Sequence, residues 1–125
     1  MRWVLVSMLF PLAAVADPTM ECIDAGSQVE IGSCVSNMET RVNAAIESSY
    51  SLALGAAQEL DEVTGRVVAV PALEAAQTAW QTYRDAQCEA VGASFGGGSG
   101  TGIAITACRV DLGRARVDAL LRYAN

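Results

Sequence analysis

The side chains that can carry out chemistry in this chain are few in kind. The 125 residues include four cysteines, fourteen acidic residues and eight arginines, with no histidine and no lysine. A serine or cysteine nucleophile activated by histidine therefore cannot be built, and neither can a lysine nucleophile. Two carboxylates can form a glycosidase pair, but the cluster of Glu59, Asp61 and Glu62 is better interpreted as a solvated helix face. We expect a protein that is not an enzyme.

The role of the cysteines depends on the compartment, which residues 1–16 indicate. They combine Arg2, an apolar run and the small-x-small tripeptide Ala14-Val15-Ala16. This pattern is typical of a secretory signal peptide and is too short to span a membrane. We therefore expect a periplasmic or secreted domain of residues 17–125, without a membrane span after signal removal. Four cysteines in a short exported chain predict two disulfides. They are Cys22, Cys34, Cys88 and Cys108.

Zinc binding is the alternative use of four cysteines. The chain has no Cys-x-x-Cys pair and no histidine, so we predict neither a metal nor another cofactor.

Residues 17–125 carry seven arginines and fourteen acidic residues, which gives a net charge of −7. This charge argues against nucleic acid and anionic lipid as partners and suits a basic protein. Solubility alone also accounts for an acidic surface.

Apolar residues recur at helical spacing in three segments. The first segment begins at a capping box of Ser27 and Glu30 and ends at Thr64-Gly65. The second begins near Pro71, which suits a first helical turn, and the third closes near Tyr123. The predicted buried faces are, for the first helix, Ile31, Val35, Met38, Val42, Ala45, Ser49, Leu52, Ala56, Leu60 and Val63; for the second, Leu73, Ala76, Trp80, Tyr83 and Gln87; and for the third, Ile105, Cys108, Leu112, Ala115 and Ala119.

The stretch GGGSGTG, Gly96 to Gly102, separates the second and third segments. Each glycine costs about 1 kcal/mol in a helix, so a turn is expected here. A phosphate cradle is the weaker interpretation, because no Gly-Lys-Ser/Thr follows, no strand precedes and the glycines do not fit G-x-G-x-x-G. The whole pattern predicts an all-α fold, a small three-helix up-down-up bundle stapled by two disulfides.

This turn brings distant cysteines together. If the second and third helices fold back about Gly98, positions equally far from it in sequence face each other, and Cys88 and Cys108 are such a pair. Cys22 lies just before the first helix and Cys34 lies on its second turn, so these two can also join. Sequence alone nevertheless permits three pairings.

The same geometry interprets the stretch AWQTYRDAQC, residues 79–88. Tyr83 faces Gly113 in this arrangement, and the glycine leaves room for the ring. Trp80 faces Arg116, whose guanidinium can stack on the indole for about 0.5–2 kcal/mol. The stretch is therefore expected to be buried and mainly structural.

The neighbouring residues Arg84 and Asp85 need not pair with each other. Successive side chains point about 100° apart around a helix. Asp85 is therefore free to reach an arginine on another helix, and Arg84 is available to a partner if it stays on the polar rim of the helical seam.

These residues also resemble a known family, the LprI N-terminal family, formerly a domain of unknown function and named after a mycobacterial lysozyme inhibitor. The resemblance lies in Trp80-x-x-Tyr83-Arg84-Asp85-x-x-Cys88, in Gly97-Gly98-Ser99 and in Cys108-x-x-x-Leu112-x-x-x-Arg116-x-x-x-Leu120. In the amino-terminal half, Cys22, Cys34 and Ser27-x-x-Glu30 are similar to the family's leading cysteine pair and helix cap. Asn43-x-x-Ile46-Glu47-x-x-Tyr50 is similar to its usual Asp-x-x-Leu-Asn-x-x-Tyr.

The resemblance implies an exported, non-enzymatic binding protein of the cell envelope. The leading interpretation is an inhibitor of c-type lysozyme, a basic partner. The alternative is a structural or immunity-like interaction domain of the periplasm with no lysozyme-inhibiting activity. We expect the signature residues to be mainly structural, and they are Trp80, Tyr83, Arg84, Asp85, Leu112 and Arg116. The predicted partner contacts are Arg84, Gly97, Gly98 and Ser99.

Overall fold

A computed structural model describes residues 17–125, and the predicted signal peptide of residues 1–16 lies outside the described residues. The described chain is all-helical, as predicted. It contains four α-helices and one 3₁₀ turn rather than three helices. The elements are α1 (Pro18–Glu21), the 3₁₀ turn (Ile23–Ala25), α2 (Gln28–Thr64), α3 (Ala69–Ala93) and α4 (Thr101–Ala124).

Helix α1 is the element that the sequence pattern missed. It is a single turn, and so it is too short to show apolar periodicity. Its start signals are nevertheless present: Asp17 accepts a hydrogen bond from the backbone N–H of Thr19 at 2.8 Å, and Pro18 occupies the first turn. Both are favoured positions for these residue types at a helix start.

The ends of the long helices follow local sequence signals. Ser27 accepts a hydrogen bond from the N–H of Glu30, and Glu30 accepts one from the N–H of Ser27, so the predicted capping box is confirmed. Helix α2 ends at Gly65, which adopts φ 65°, a left-handed conformation that glycine allows without strain. Pro71 lies in the first turn of α3. One boundary is wrong: α4 begins at Thr101, so Gly102 is helical.

The predicted buried face of α2 is right up to Ser49 except at Ala45, which is exposed. Beyond Ser49 it is wrong except at Ala56, which is half-buried. Leu52, Leu60 and Val63 are 58%, 55% and 79% exposed. The residues of α2 that are buried are Val35, Val42, Ile46, Ser49, Ala53 and Asp61. In the second half the small Ala53 is fully buried in the core cluster, and the larger apolar residues beside it in sequence stay exposed.

The hydrophobic core joins all three long helices. Ile46 and Ala53 of α2, Leu73 of α3 and Leu120 of α4 form its buried cluster. Full burial of a leucine such as Leu120, which is 0% exposed, contributes about 1.5–3 kcal/mol. Among residues 17–125 no helix is long and apolar enough to cross a membrane.

Both disulfides have the predicted partners. Cys22 is joined to Cys34 with a Cα–Cα distance of 5.9 Å, and Cys88 is joined to Cys108 with one of 5.5 Å. On a chain-entropy estimate each contributes about 3 kcal/mol by restricting the unfolded chain. The first bridge ties the amino-terminal segment to α2, and the second ties α3 to α4 below the glycine-rich turn.

Candidate functional site

Two arginines lie over the indole of Trp80, which is half-buried beside the core. The Cζ atom of Arg116 is 5.7 Å from the ring centroid, as predicted, and that of Arg84 is 5.3 Å away. Both distances are within the range of a cation–π interaction. Arg116 is held in place by Gln77, whose Oε1 accepts a hydrogen bond from Nε at 2.9 Å. We call Asn43, Trp80, Arg84, Arg109 and Arg116 the arginine–tryptophan cluster.

Arg84 of α3 is bound on both sides by the other long helices. Its Nε and Nη2 donate to the backbone carbonyl of Arg109 on α4 at 3.1 and 2.8 Å. Nη2 also donates to Oδ1 of Asn43 on α2 at 2.9 Å. A forked guanidinium suits this task because it holds several N–H donors in one plane. Arg84 was predicted to be available to a partner if it stayed on the rim; it is half-buried, and these contacts direct its donors to α2 and α4.

Gly113 makes room for Arg84 and for α2. A Cβ atom at this position would lie 3.3 Å from Nη2 of Arg84 and only 3.0 Å from a methyl group of Val42. The expectation that Gly113 accommodates Tyr83 is therefore wrong, and Tyr83 is 53% exposed. The prediction compared only the second and third helices, α3 and α4. In the structure α2 lies close to Gly113 and fills the space that the prediction assigned to Tyr83.

Arg109 links the cluster to two acidic residues. Its Nη atoms lie 3.6 Å from Glu39 on α2 and 3.6 Å from Asp85 on α3. The prediction that Asp85 reaches an arginine on another helix is confirmed. Burial lowers the pKa of Arg84; Glu39 and Asp85 oppose this effect and Arg109 adds to it. Arg84 still stays charged at any ordinary pH, so the cluster is a fixed arrangement of cations and not a switch.

Exposure distinguishes the glycine loop, residues 94–100, from this cluster. Residues 94–99 are all exposed, and Gly96 and Gly97 have φ values of 60° and 80°. The N–H of Gly98 donates to the carbonyl of Phe95, and the hydroxyl of Ser99 accepts from Gln28 at 3.2 Å. Among the described residues no acceptor binds the backbone N–H of Gly97 or Ser99. The loop therefore presents donors to solvent.

Helix α4 begins beside this loop without a side-chain cap. Its N-cap is Gly100, and no acidic residue lies in the first turn. The first N–H groups of a helix lack partners within it and carry a partial positive charge. Of the predicted partner contacts, Gly97, Gly98 and Ser99 thus lie together at one end of the molecule, whereas Arg84 lies half-buried between the three long helices.

Sequence reasoning missed two residues that hold neighbouring helices in place. Asp61 was interpreted as part of a solvated acidic face, but it is 9% exposed and accepts from the N–H groups of Val68, Ala69 and Val70 at 2.8–3.2 Å. Gly92 lies where a Cβ would be 2.6 Å from the side chain of Ile105. Only the spacing of Gly92, one turn after Cys88, could have indicated this close approach.

The signature residues Leu112 and Arg116 of α4 are both half-buried. Two nitrogens, Nε of Arg109 and Nη2 of Arg116, are buried without an acceptor among the described residues. Within residues 17–125 no three acidic or cysteine side chains are grouped to hold a metal ion. The arginine–tryptophan cluster can thus hold the long helices together, and the glycine loop can donate hydrogen bonds to a partner.

The fold and the arginine–tryptophan cluster define a small helical protein with two disulfides, in which arginine side chains join the long helices. Residues 20–120 match the family described as "Lysozyme inhibitor LprI", and the chain belongs to this family. The chain is also 32% identical over 109 residues to an uncharacterized protein of Rhizobium meliloti (strain 1021), covering 83% of this chain and 78% of that protein. No solved structure matches it.

Proposed function

We propose that this chain is an exported, non-enzymatic binding protein of the cell envelope that inhibits c-type lysozyme. In this proposal residues 1–16 are a signal peptide, and residues 17–125 are one domain with its three long helices in up-down-up order. The observation that carries the proposal is the family match over residues 20–120. The two disulfides support export, because such bonds persist in oxidising compartments.

The glycine loop is the part of the protein that enters the enzyme in this proposal. A lysozyme cleft holds two carboxyl groups, and they require hydrogen-bond donors. The N–H groups of Gly97 and Ser99 have no acceptor among the described residues. The start of α4 lies beside them without a side-chain cap, although its first N–H, that of Thr101, donates to the carbonyl of Gly98. Carboxylates are favoured at such a helix start.

The internal contacts of Arg84 assign it a different role. Its donors are directed to Asn43 and to the carbonyl of Arg109. Withdrawing them for a partner would leave that carbonyl and the half-buried cation without their bonds, which is costly. We therefore propose that Arg84 keeps the helices that carry the loop in register, and that the loop makes the contact.

A lysis assay with the oxidised protein in excess over c-type lysozyme tests the proposal. The parent should slow the lysis of cell walls. Ser99→Glu should weaken inhibition by about tenfold or more, because a new carboxylate would face those of the cleft. Ser51→Glu is the matched control, since Ser51 is exposed on α2 and gains the same charge; it should inhibit like the parent.

Undiminished lysis with the parent would overturn the inhibitor proposal and would favour the alternative, an interaction or immunity-like domain of the periplasm. Inhibition that both variants retain would leave the activity in place and move the contact away from the glycine loop. Unchanged helical circular dichroism and intact disulfides would show that neither variant has simply unfolded.

A further inference from the structure

A small cleft lies beside the glycine loop, between α1, the carboxyl-terminal end of α3 and the amino-terminal half of α4. Its volume is about 310 Å³, and its apolar walls include Pro18 of α1, Val91 of α3, Phe95 of the loop, and Ala104 and Ala107 of α4. We call it the Phe95 cleft. It is at the small end of the roughly 300–1,000 Å³ of ligand pockets, a size that suits one long side chain.

Two carboxylates complete the lining of this cleft. Asp17 lies at the start of α1 and Asp111 lies on α4, and both residues are exposed. One oxygen of Asp17 accepts a hydrogen bond from the N–H of Thr19 at 2.8 Å. Within residues 17–125 no arginine lies at ion-pair distance from either carboxylate. The cleft therefore combines apolar walls with acidic groups that no described arginine neutralises.

The other charged side chains of the surrounding helices leave the cleft negative. Glu21 of α1 and Arg114 of α4 bind each other at 2.6 Å, and Arg109 belongs to the arginine–tryptophan cluster. Glu89, near the end of α3, is exposed and acidic. Removal of the predicted signal peptide adds one α-amino group at Asp17, so the two lining carboxylates and this amine together carry a charge of −1.

We propose that the Phe95 cleft receives one basic side chain of the partner, which is the c-type lysozyme of the proposed inhibition. The choice of partner rests on that proposed function. A long cationic side chain lays its methylene groups on apolar walls while its charged end stays in contact with water. In this arrangement the charged end meets Asp111. Arginine is favoured over lysine, because a guanidinium also stacks on an aromatic ring and binds a carboxylate with two parallel N–H donors.

The position and composition of the cleft favour this occupant over others. Phe95 belongs to the glycine loop that enters the enzyme in the proposed function, and it is 49% exposed. Exposed aromatic residues commonly become the anchors of protein interfaces. A metal ion is a poorer fit, since no three acidic or cysteine side chains of the described chain are grouped to hold one. A neutral apolar group would leave Asp111 without a partner.

Binding of the oxidised protein to c-type lysozyme, measured by biolayer interferometry, tests the proposal. Phe95→Ala and Asp111→Asn should each weaken binding about fivefold or more. Asp118→Asn is the matched control: Asp118 is exposed on the same helix and does not line the cleft. Because this control removes the same charge, its variant should bind like the parent. Lysozyme binding that Phe95→Ala and Asp111→Asn both retain would overturn the proposal and leave the inhibition in place.

A probe used without the enzyme separates the cleft from the proposed inhibition. N-acetylarginine amide, at millimolar concentration, should shift the methyl resonances of Ala104 and Ala107 in the parent and shift them less in Asp111→Asn. N-acetylnorleucine amide, which has a similar stem and no charge, should leave them in place. Absence of any shift with the arginine probe in the parent would overturn the proposal. Shifts in a protein that does not bind lysozyme would support a cation-binding cleft and reject the proposed inhibition alone.

Discussion

At the scale of single residues, the guanidinium of Arg84 connects the three long helices. The side chain extends from α3 and donates hydrogen bonds to Asn43 on α2 and to the backbone carbonyl of Arg109 on α4. Trp80 lies one turn earlier and supplies an aromatic surface for the same cation. A lysine could not make the same contacts as Arg84, because an ammonium group lacks the planar fork of N–H donors that reaches two acceptors on different helices.

The space at Gly113 makes these contacts possible and yields a first prediction. Gly113→Leu should lower the free energy of unfolding by about 1–3 kcal/mol, because the larger side chain overpacks against Val42 and Arg84. Tyr83→Ala should change it by only about 0.5 kcal/mol, as exposed substitutions do. Urea unfolding of the oxidised variants measures both values. An equal loss in the two variants would contradict this assignment and restore the pairing of Tyr83 with Gly113.

Part of this cluster follows from the sequence and part does not. The pairing of Trp80 with Arg116 and the reach of Asp85 to another helix depend only on helical spacing and the position of the turn, so both were predictable. The contacts of Arg84 depend on how closely α2 approaches α4. A pairwise comparison of two helices contains no information about the third, and Tyr83 was misplaced for that reason.

At the scale of helices, α3 is capped by a residue of the preceding helix. Its own N-cap residue, Val68, has no side chain that can accept a hydrogen bond. Asp61 replaces that cap from the end of α2 by accepting three backbone N–H bonds. A carboxylate at a helix start is also stabilised by the partial positive charge there. The short connection between α2 and α3 is fixed by this contact.

The cap makes stability depend on pH. Hydrogen bonds from Val70 first, and from Ala69 and Val68, lower the pKa of Asp61 against the opposing effect of burial. Because the folded pKa is below the unfolded value of about 3.9, the cap stabilises fully above that value. This stabilisation is lost as the pH falls through the folded pKa.

Thermal melts of Asp61→Asn test this cap. Near neutral pH the variant should melt at a lower temperature than the parent, because the amide lacks the charge and one acceptor oxygen. The difference should shrink as the pH falls below about 3.9. Glu62→Gln, at the exposed neighbouring position, is the matched control and should melt like the parent near neutrality. A difference for Asp61→Asn that stays constant down to acid pH would contradict the assignment.

Local signals predicted the helices better than their buried faces. Ser27, Glu30, Gly65 and Pro71 act within one turn of their own positions, so their roles can be read from the sequence. The buried line of α2 after Ser49 depends on distant partners. The helix is rich in alanine there, and a prediction based on side-chain size selects the larger residues, which the fold leaves exposed.

At the scale of the whole molecule, an apolar groove and the glycine loop lie towards opposite ends of α3. The groove is lined mainly by alanines of α2 and α3 near the connection between these helices, with Glu59, Glu62 and Arg66 exposed close by in sequence, and the glycine loop lies at the other end of α3. The net charge of −7 of residues 17–125 is spread over the surface and can attract a basic enzyme from a distance.

Long-range attraction gives the last prediction, which rests on the proposed inhibition. The Debye length falls from about 30 Å at 0.01 M salt to about 3 Å at 1 M. Attraction between an acidic inhibitor and a basic lysozyme should thus be screened, and the association rate should fall by at least tenfold over this range while dissociation changes little. Lysis of charged cell walls also depends on salt, so the rates should be measured by biolayer interferometry with immobilised lysozyme. Association that is independent of salt would show that the acidic surface serves solubility alone, even if the protein inhibits.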